Sequence, residues 1–260
     1  MDSQTFLTTV GMVPVQGTQP SGGSVPSEGI THSVDFVLAN HTDYLRRFSD
    51  TTHLGTGDST IIVWIRPTFL GTDAGTRFIC SKGSSTAGAD LRSYGISIND
   101  VFDDARFYTS DGVTVVEVAS DQNEVINNQW NYIVCQYDSD TSISSIQVNN
   151  GTVWTTEEVN PPQSLSEANL FVGAGQVGST HWGGQICLFG IWSRKLSGAE
   201  ITSIYSNGTG KTWSNLSAGE QTNAVVYWHL DELSGTRADS AGSLDLSETG
   251  TVGSSTEVPS

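Results

Sequence analysis

Basic side chains are scarce in this sequence. Its 260 residues include 11 lysines and arginines against 28 aspartates and glutamates, which gives a formal net charge of −17. A field of that sign repels the phosphates of nucleic acids and the head groups of anionic lipids. We therefore expect neither nucleic acid nor a membrane among the partners of the protein.

Cysteines and long apolar runs are also few. The three cysteines, Cys80, Cys135 and Cys187, lie far apart without the spacing of metal ligands, so we expect them to be small buried hydrophobes. The first residues (MDSQTFL) carry neither a basic segment nor an apolar stretch of the length that a secretory signal needs. The sequence thus predicts a protein made without a signal peptide.

Glycine is abundant, and strand-like runs recur along the chain. Glycines, together with serine and aspartate, form turn clusters between short apolar runs. One such run, residues 60–66 (TIIVWIR), is predicted to be a strand buried on both faces. One helix is predicted near residues 197–206, because Ser197 and Glu200 have the spacing of a capping box. These patterns predict a single all-β domain with one short helix.

The first 30 residues differ from the rest. They contain Pro14, Pro20 and Pro26 and a glycine pair, which oppose regular structure, but also apolar side chains between positions 6 and 15. We therefore divide the chain into an extended N-terminal arm, residues 1–30, and a folded domain, residues 31–260. The arm is predicted to become ordered on a neighbouring subunit.

Several segments resemble laminin-G-like domains, which are relatives of the pentraxins and legume lectins. Residues 33–36 (SVDF) and 40–45 (NHTDYL) resemble the opening strand and turn of that family, and residues 182–197 (WGGQICLFGIWSRKLS) resemble its closing signature. The resemblance implies an antiparallel two-sheet jelly-roll sandwich of the concanavalin A-like type. It also suggests non-enzymatic binding as the function.

One segment of the resemblance stands out of order. Residues 226–236 (VYWHLDELSGT) resemble the strand that normally opens such a domain, yet here they lie near the C-terminus. We expect residues 224–250 to be a permuted strand that completes the sandwich, because Trp228 and its apolar neighbours would otherwise be exposed. Exchange of this strand with a second copy of the chain is the alternative.

The family resemblance implies calcium as the one cofactor to consider. Some members bind it through aspartates in turns, and Asp43, Asp239 and Asp245 occupy such positions here. Two acidic positions of the closing signature are Cys187 and Leu188 in this chain, which removes potential ligands. The alternative for Asp43 and Asp239 is that each hydrogen-bonds the backbone of its own turn.

Aromatic side chains are the candidates for sugar binding. Tyr94, Tyr108, Trp154 and Trp182 could stack on a glycan, although packing within the sheets is the alternative for each. Glycosidases of related jelly rolls need two carboxylates on one strand face, and no such pair is present. We therefore predict that the protein has no catalytic residues and is not an enzyme.

The resemblance and the absence of a signal segment together suggest a virion component. The protein would be a capsid decoration or a tail or fibre protein at the virion surface, with a glycan on a cell surface as a further partner. The arm would make it a homo-oligomer or join it to a capsid or tail neighbour. The alternatives are a lectin-like module of a larger extracellular protein and a glycoside hydrolase.

Overall fold

A computed structural model describes residues 29–37, 42–48, 56–70, 75–84, 91–157, 160–163, 168–175 and 180–260. Almost all of the predicted N-terminal arm, residues 1–28, lies outside these ranges. Its predicted role therefore stays a prediction. In the described part of the chain, no helix is long and apolar enough to cross a membrane.

In the described part of the chain, two antiparallel sheets of eight and seven strands form the sandwich. We call the eight-stranded one sheet A. Its neighbouring strands run in the order β10, β9, β8, β3, β12, β1 and β15, and β13 also pairs with β12. The strands are β1 (Ser33–Phe36), β3 (Ser59–Pro67), β8 (Asn131–Asp138), β9 (Ile143–Val148), β10 (Val153–Thr155), β12 (Gly184–Trp192), β13 (Ala224–Trp228) and β15 (Gly253–Ser255).

The second sheet, sheet B, has seven strands. They run in the order β14, β2, β11, β4, β5, β6 and β7. Their bounds are β2 (Tyr44–Arg47), β4 (Thr76–Ser84), β5 (Leu91–Asn99), β6 (Asp104–Ser110), β7 (Val115–Ala119), β11 (Asn169–Val172) and β14 (Ser247–Thr249). The sheets pack face to face, which confirms the expected sandwich.

The central strands of sheet A are buried on both faces, and the alternation of β3 shows why. Ile61, Val63 and Ile65 face the main core between the sheets. Ile62 and Trp64 face a second core on the outer side of sheet A. Because successive side chains of a strand point to opposite faces, a continuous apolar run needs cover on both sides. The sequence prediction for this strand is confirmed.

A helical segment provides the outer cover. Helix α1 (Gly198–Tyr205) begins at Ser197, whose hydroxyl accepts from the Glu200 backbone N–H, while the Glu200 side chain accepts from the Ser197 N–H. The predicted capping box is therefore present. A second short helix, α2 (Ala218–Gln221), has a capping box of its own, and two short 3-10 turns lie between the helices.

The C-terminal strand completes the sandwich of its own chain. Strand β13 pairs with β12 and places Trp228 opposite Phe189. Val226, Trp228 and Leu230 are all fully buried in the main core. Beyond them, β14 pairs with β2 in sheet B and β15 with β1 in sheet A. The expected closing role of this segment is thus seen within one copy of the chain.

The three cysteines are free thiols and all are buried. Cys80 and Cys135 lie in the main core, whereas Cys187 lies in the outer core. Burial raises the pKa of Cys80 to about 12, because the apolar surroundings disfavour the thiolate. The expectation of small buried hydrophobes is confirmed.

Candidate functional site

A hollow lies on the outer face of sheet A beside α1, and we call it the α1 groove. Its volume is about 850 Å³, within the range of small-molecule sites. Strands β8, β9 and β10 supply one side, and α1 with the residues before it supplies the other. The described lining consists of Val134, Gln136, Asp138, Thr141, Ile143, Ser145, Gln147, Asn150, Val153, Thr155, Lys195, Leu196, Ser197, Gly198, Glu200, Ile201 and Thr202.

The groove exists because α1 covers only part of the sheet. The Tyr132 hydroxyl donates to the Ile201 carbonyl at 3.3 Å, which holds the helix over β8. Strand β9 lies farther out, and its burial alternates along the strand. Its inward residues Ile146 and Val148 join the main core. Its outward residues are left to line the groove.

The base of the groove is apolar and its rim is polar. Val134, Leu196 and Ile201 are buried lining residues, while Val153 is 53% exposed. Hydroxyl and amide groups surround this apolar surface, and those of Thr141, Ser145, Gln147, Asn150 and Thr155 lie in the described lining. The groove can therefore bind a ligand that has both apolar faces and many hydroxyls.

Hydrogen bonds fix several of the polar groups in place. The Thr202 hydroxyl donates to Asn150 Oδ1 at 3.1 Å and links α1 to the β9–β10 turn. Gln147 Nε2 donates to the Gly151 carbonyl at 2.8 Å. Gln136 Nε2 donates to the Leu196 carbonyl at 2.9 Å. A site organised before binding loses less conformational entropy when the ligand arrives.

The charged groups of the groove are paired. Lys195 Nζ lies 2.5 Å from Asp138 Oδ2. Glu200 accepts from Arg194 at 2.6 and 3.0 Å, and Arg194 is not among the described lining residues. The hydrogen bond from Lys195 is the main reason that the pKa of Asp138 is lowered. The hydrogen bond from Arg194 lowers the pKa of Glu200 to about 2.

A second hollow lies near the other end of α1, and we call it the aromatic pocket. Its volume is about 440 Å³, and its described lining includes Trp64, Trp130, Tyr205, Asn128 and Gln129. The Trp64 and Tyr205 rings are stacked, with centroids 5.6 Å apart and an angle of 9° between the planes. This pocket brings aromatic and amide groups together, but Trp64 is buried and its stacked face is occupied.

The structure does not support the four predicted stacking residues. Tyr94 and Trp182 are fully buried in the main core, so their assignment as glycan ligands is wrong. Tyr108 is 9% exposed, packs near Phe78 and accepts from the Ser97 hydroxyl. Trp154 is half-buried and packs against the main core, away from the groove. None of the four is among the described lining of either hollow.

Among the candidate calcium ligands, Asp43 is separated from Asp239 and Asp245, which lie in one turn. Asp43 directly precedes β2, whereas Asp245 lies beside the far end of that strand, where its carbonyl accepts from Arg47. Both carboxylate oxygens of Asp239 accept backbone N–H groups, from Tyr227, Ala241 and Leu244. Asp245 Oδ1 accepts from the Asp239 N–H at 2.9 Å. Asp239 and Asp245 thus stabilise their own turn, which for Asp239 was the alternative interpretation.

Asp43 has a similar structural role. Its Oδ1 accepts from the Thr251 N–H at 2.9 Å, which ties the start of β2 to the C-terminal segment. Within the described ranges, no three His, Cys, Asp or Glu side chains come together as a metal site. Calcium binding by this chain stays a prediction.

The residues that line the α1 groove were not predicted from the sequence. The alternation of residues 143–148 (ISSIQV) was a usable signal, since it places a polar row opposite a buried apolar row. That signal does not reveal which polar rows remain uncovered. The cover depends on α1, which follows β9 by 50 residues in the chain.

Comparisons with known proteins identify a family for the sequence and related structures for the fold. The family model described as the concanavalin A-like lectin/glucanases superfamily matches residues 39–202. No curated protein matches the chain in sequence. A Bacteroides ovatus ATCC 8483 structure described as a carbohydrate binding protein is 16% identical, with a TM-score of 0.62. The match covers 89% of this chain and 61% of that one, so this chain spans less than two thirds of that protein.

Two further structures share the fold at lower coverage. The CBM40 domain of the Ruminococcus gnavus IT-sialidase is 13% identical, with a TM-score of 0.54, and the match covers 68% of this chain and 98% of that domain. That domain is also known bound to alpha2,3 sialyllactose. The heptameric SAP-like pentraxin of Limulus polyphemus is 15% identical, with a TM-score of 0.52, and the match covers 72% of this chain and 90% of that one. At these identities the likeness concerns the fold alone.

Proposed function

This chain belongs to the concanavalin A-like lectin/glucanases superfamily, and from that premise we propose that it is a non-catalytic carbohydrate-binding protein with its sugar site in the α1 groove. The observation that carries the proposal is the groove itself, a hollow of about 850 Å³ with an apolar base and a rim of fixed hydroxyl and amide groups. Similar folds occur in proteins named for carbohydrate binding, which supports the same class of ligand.

The chemistry of the groove suits a sugar. A pyranose ring has apolar C–H faces and a circumference of hydroxyls, so it needs an apolar surface and neutral hydrogen-bonding groups together. Val134, Ile201 and Val153 supply the first, and Ser145 and Gln147 are among the groups that supply the second. Ordinary binding sites combine a mostly apolar lining with a few placed polar groups in this way.

The carboxylates of the groove oppose a glycosidase function. Hydrolysis of a glycosidic bond needs one carboxylic acid with a raised pKa as the proton donor. Asp138 and Glu200 are the described lining carboxylates, and the pKa of each is lowered by its cation partner. Both groups are therefore ionised at neutral pH and cannot donate a proton to a leaving group. This supports binding without catalysis.

Blocking the groove tests the proposal. We expect the wild-type protein to bind oligosaccharides on a glycan array, and Ser145→Trp to abolish that binding because the new ring fills the groove from an outward position of β9. Ser247→Trp is the matched control, since it places the same ring on an exposed position of β14 in the other sheet. Calorimetric titration of the best array ligand gives the affinities.

A third variant locates the site. Gln129→Trp obstructs the aromatic pocket from an exposed position and should leave binding intact. Loss of binding in Gln129→Trp but not in Ser145→Trp would show that the sugar site is the aromatic pocket and not the α1 groove. If the wild-type protein binds no glycan on the array, carbohydrate binding itself is refuted.

The virion role is the more specific part of the sequence prediction, and we keep it as a proposal. It depends on the arm, residues 1–28 of which lie outside the described ranges. The proposed role would join a subunit to its neighbours through the arm and leave the α1 groove for a cell-surface glycan. Sedimentation of the full chain and of a variant that starts near Gly29 tests the self-association. Equal oligomeric states would refute a homo-oligomer formed through the arm.

A further inference from the structure

We propose that the α1 groove selects uncharged oligosaccharides over sialylated ones. This inference rests on the proposed function, because it concerns the ligand of the same groove. It starts from the charges that a bound glycan would meet. Among the described lining residues, these are Asp138, Glu200 and Lys195, so carboxylates outnumber cations.

Lys195 is the one cation in that described lining, and its charge is already matched. Its ammonium group lies 2.5 Å from Asp138 Oδ2. The same hydrogen bond lowers the pKa of Asp138, so its carboxylate stays ionised at neutral pH. A sialic acid carboxylate would have to compete with Asp138 for the ammonium group. The pair is partly exposed, so separating it costs only a modest free energy, but a neutral sugar avoids that cost entirely.

Glu200 is the second carboxylate of the described lining. Its cation partner, Arg194, is not among the described lining residues, and the guanidinium also donates to the Thr222 and Gly219 carbonyls. Those bonds hold Arg194 in place, so it is not free to turn toward a ligand in the groove. An anionic sugar would therefore meet Glu200 without meeting the cation that balances it.

The charge of the whole chain acts in the same direction. A formal charge of −17 produces a negative field that lowers the local concentration of anionic ligands. The groove contacts for neutral sugars, which are hydroxyls and amides, do not depend on that field. Sialylation therefore weakens binding through both the local pairing and the long-range field.

Matched pairs of glycans test this selectivity. The probes are oligosaccharides that differ only in one terminal sialic acid, with lactose and 3′-sialyllactose as the first pair and the pairs bound on the array as the rest. We expect the sialylated member to bind roughly ten-fold more weakly or worse at low salt. We expect the gap to narrow when the ionic strength is raised to about 0.5 M, because salt screens the field.

Asp138→Asn tests the local part of the mechanism. Asparagine keeps an oxygen for the Asp140 and Thr141 N–H groups that Asp138 Oδ1 accepts at 3.1 Å, but it frees Lys195 from its carboxylate. We expect the affinity ratio between the two members of a pair to shrink by several-fold. Asp140→Asn is the matched control: it removes the same charge from an exposed turn residue that is not in the described lining, and its ratio should stay near the wild-type value.

The outcomes separate the two proposals. Equal or tighter binding of the sialylated members, abolished by Ser145→Trp, would overturn the selectivity and leave the sugar site in place. Equal ratios in Asp138→Asn and Asp140→Asn would show that net charge, not the pairing of Lys195, sets any preference, and would overturn the local mechanism. Absence of binding to every glycan would refute the proposed function and this inference together.

Discussion

Removal of the Trp228 side chain should destabilise the whole sandwich. Trp228 comes from the C-terminal segment but is fully buried in the main core. Its ring centroid lies 5.5 Å from that of Phe189 on the neighbouring strand, and its Nε1 donates to the Leu244 carbonyl at 2.9 Å. Trp228→Ala therefore leaves a large cavity where the last strands join the earlier ones.

The expected loss can be worked out from these contacts. Truncation of a buried tryptophan to alanine costs about 3–5 kcal/mol, against a total stability of about 5–15 kcal/mol for most domains. Trp228→Phe keeps most of the apolar volume but leaves the partly buried Leu244 carbonyl without its donor, and loss of a typical hydrogen bond costs about 0.5–1.5 kcal/mol. We expect the order of stability to be wild type, then phenylalanine, then alanine.

Guanidinium unfolding followed by circular dichroism measures the effect. The midpoint should fall in the stated order with an unchanged dependence on denaturant concentration. Trp213→Ala, in which a partly buried ring at the outer core is removed, serves as the control and should cost less. A Trp228→Ala protein within about 1 kcal/mol of wild type would show that the last strands are not integral to the fold.

Two further predictions concern single positions in the outer core. Gly190→Ala should cost about 1–3 kcal/mol of stability, because a Cβ there would lie 2.6 Å from the Trp192 ring and 2.7 Å from the Tyr227 ring. Thermal unfolding should show a lower melting temperature, and an unchanged one would mean that the two rings repack. Burial lowers the pKa of His229, whose Nε2 accepts from the Trp213 N–H. As the pH falls, the unfolded state therefore binds a proton before the folded state does, and stability should decrease below about pH 6.5. The decrease should be less steep in His229→Gln. Equal slopes of unfolding free energy against pH in the two proteins would contradict this.

The fold could be predicted because local and global signals agree. The capping box at Ser197 needs only four residues in sequence, and it forms as expected. The apolar run of β3 demands cover on both faces, and the two cores provide it. The apolar stripe around Trp228 requires a partner face, which β12 supplies. Each of these predictions rests on a requirement that the segment itself imposes.

Residue type alone could not identify sugar-stacking residues. The odd or even position of a residue along its strand, here called its parity, does indicate which face of the sheet it occupies. Tyr94 has the same parity as Ile96 and Ile98, and all three lie in the main core. Tyr108 has the opposite parity to its core neighbour Phe107, which places it on the outer face of sheet B. Even there it is 9% exposed. Parity predicts the face of a sheet, but not whether another segment covers that face.

The α1 groove depends on contacts between distant parts of the chain, and this is why its ligand preference had to come from the structure. Lys195 and Asp138 are 57 positions apart, and no local pattern predicts that they form a pair. Without that pair, Lys195 would be a free cation in an otherwise acidic groove and would favour an anionic sugar. With it, the charge is balanced inside the protein, and the remaining hydroxyl and amide groups favour a neutral one. One long-range contact thus removes the cation that could otherwise have attracted an anionic sugar.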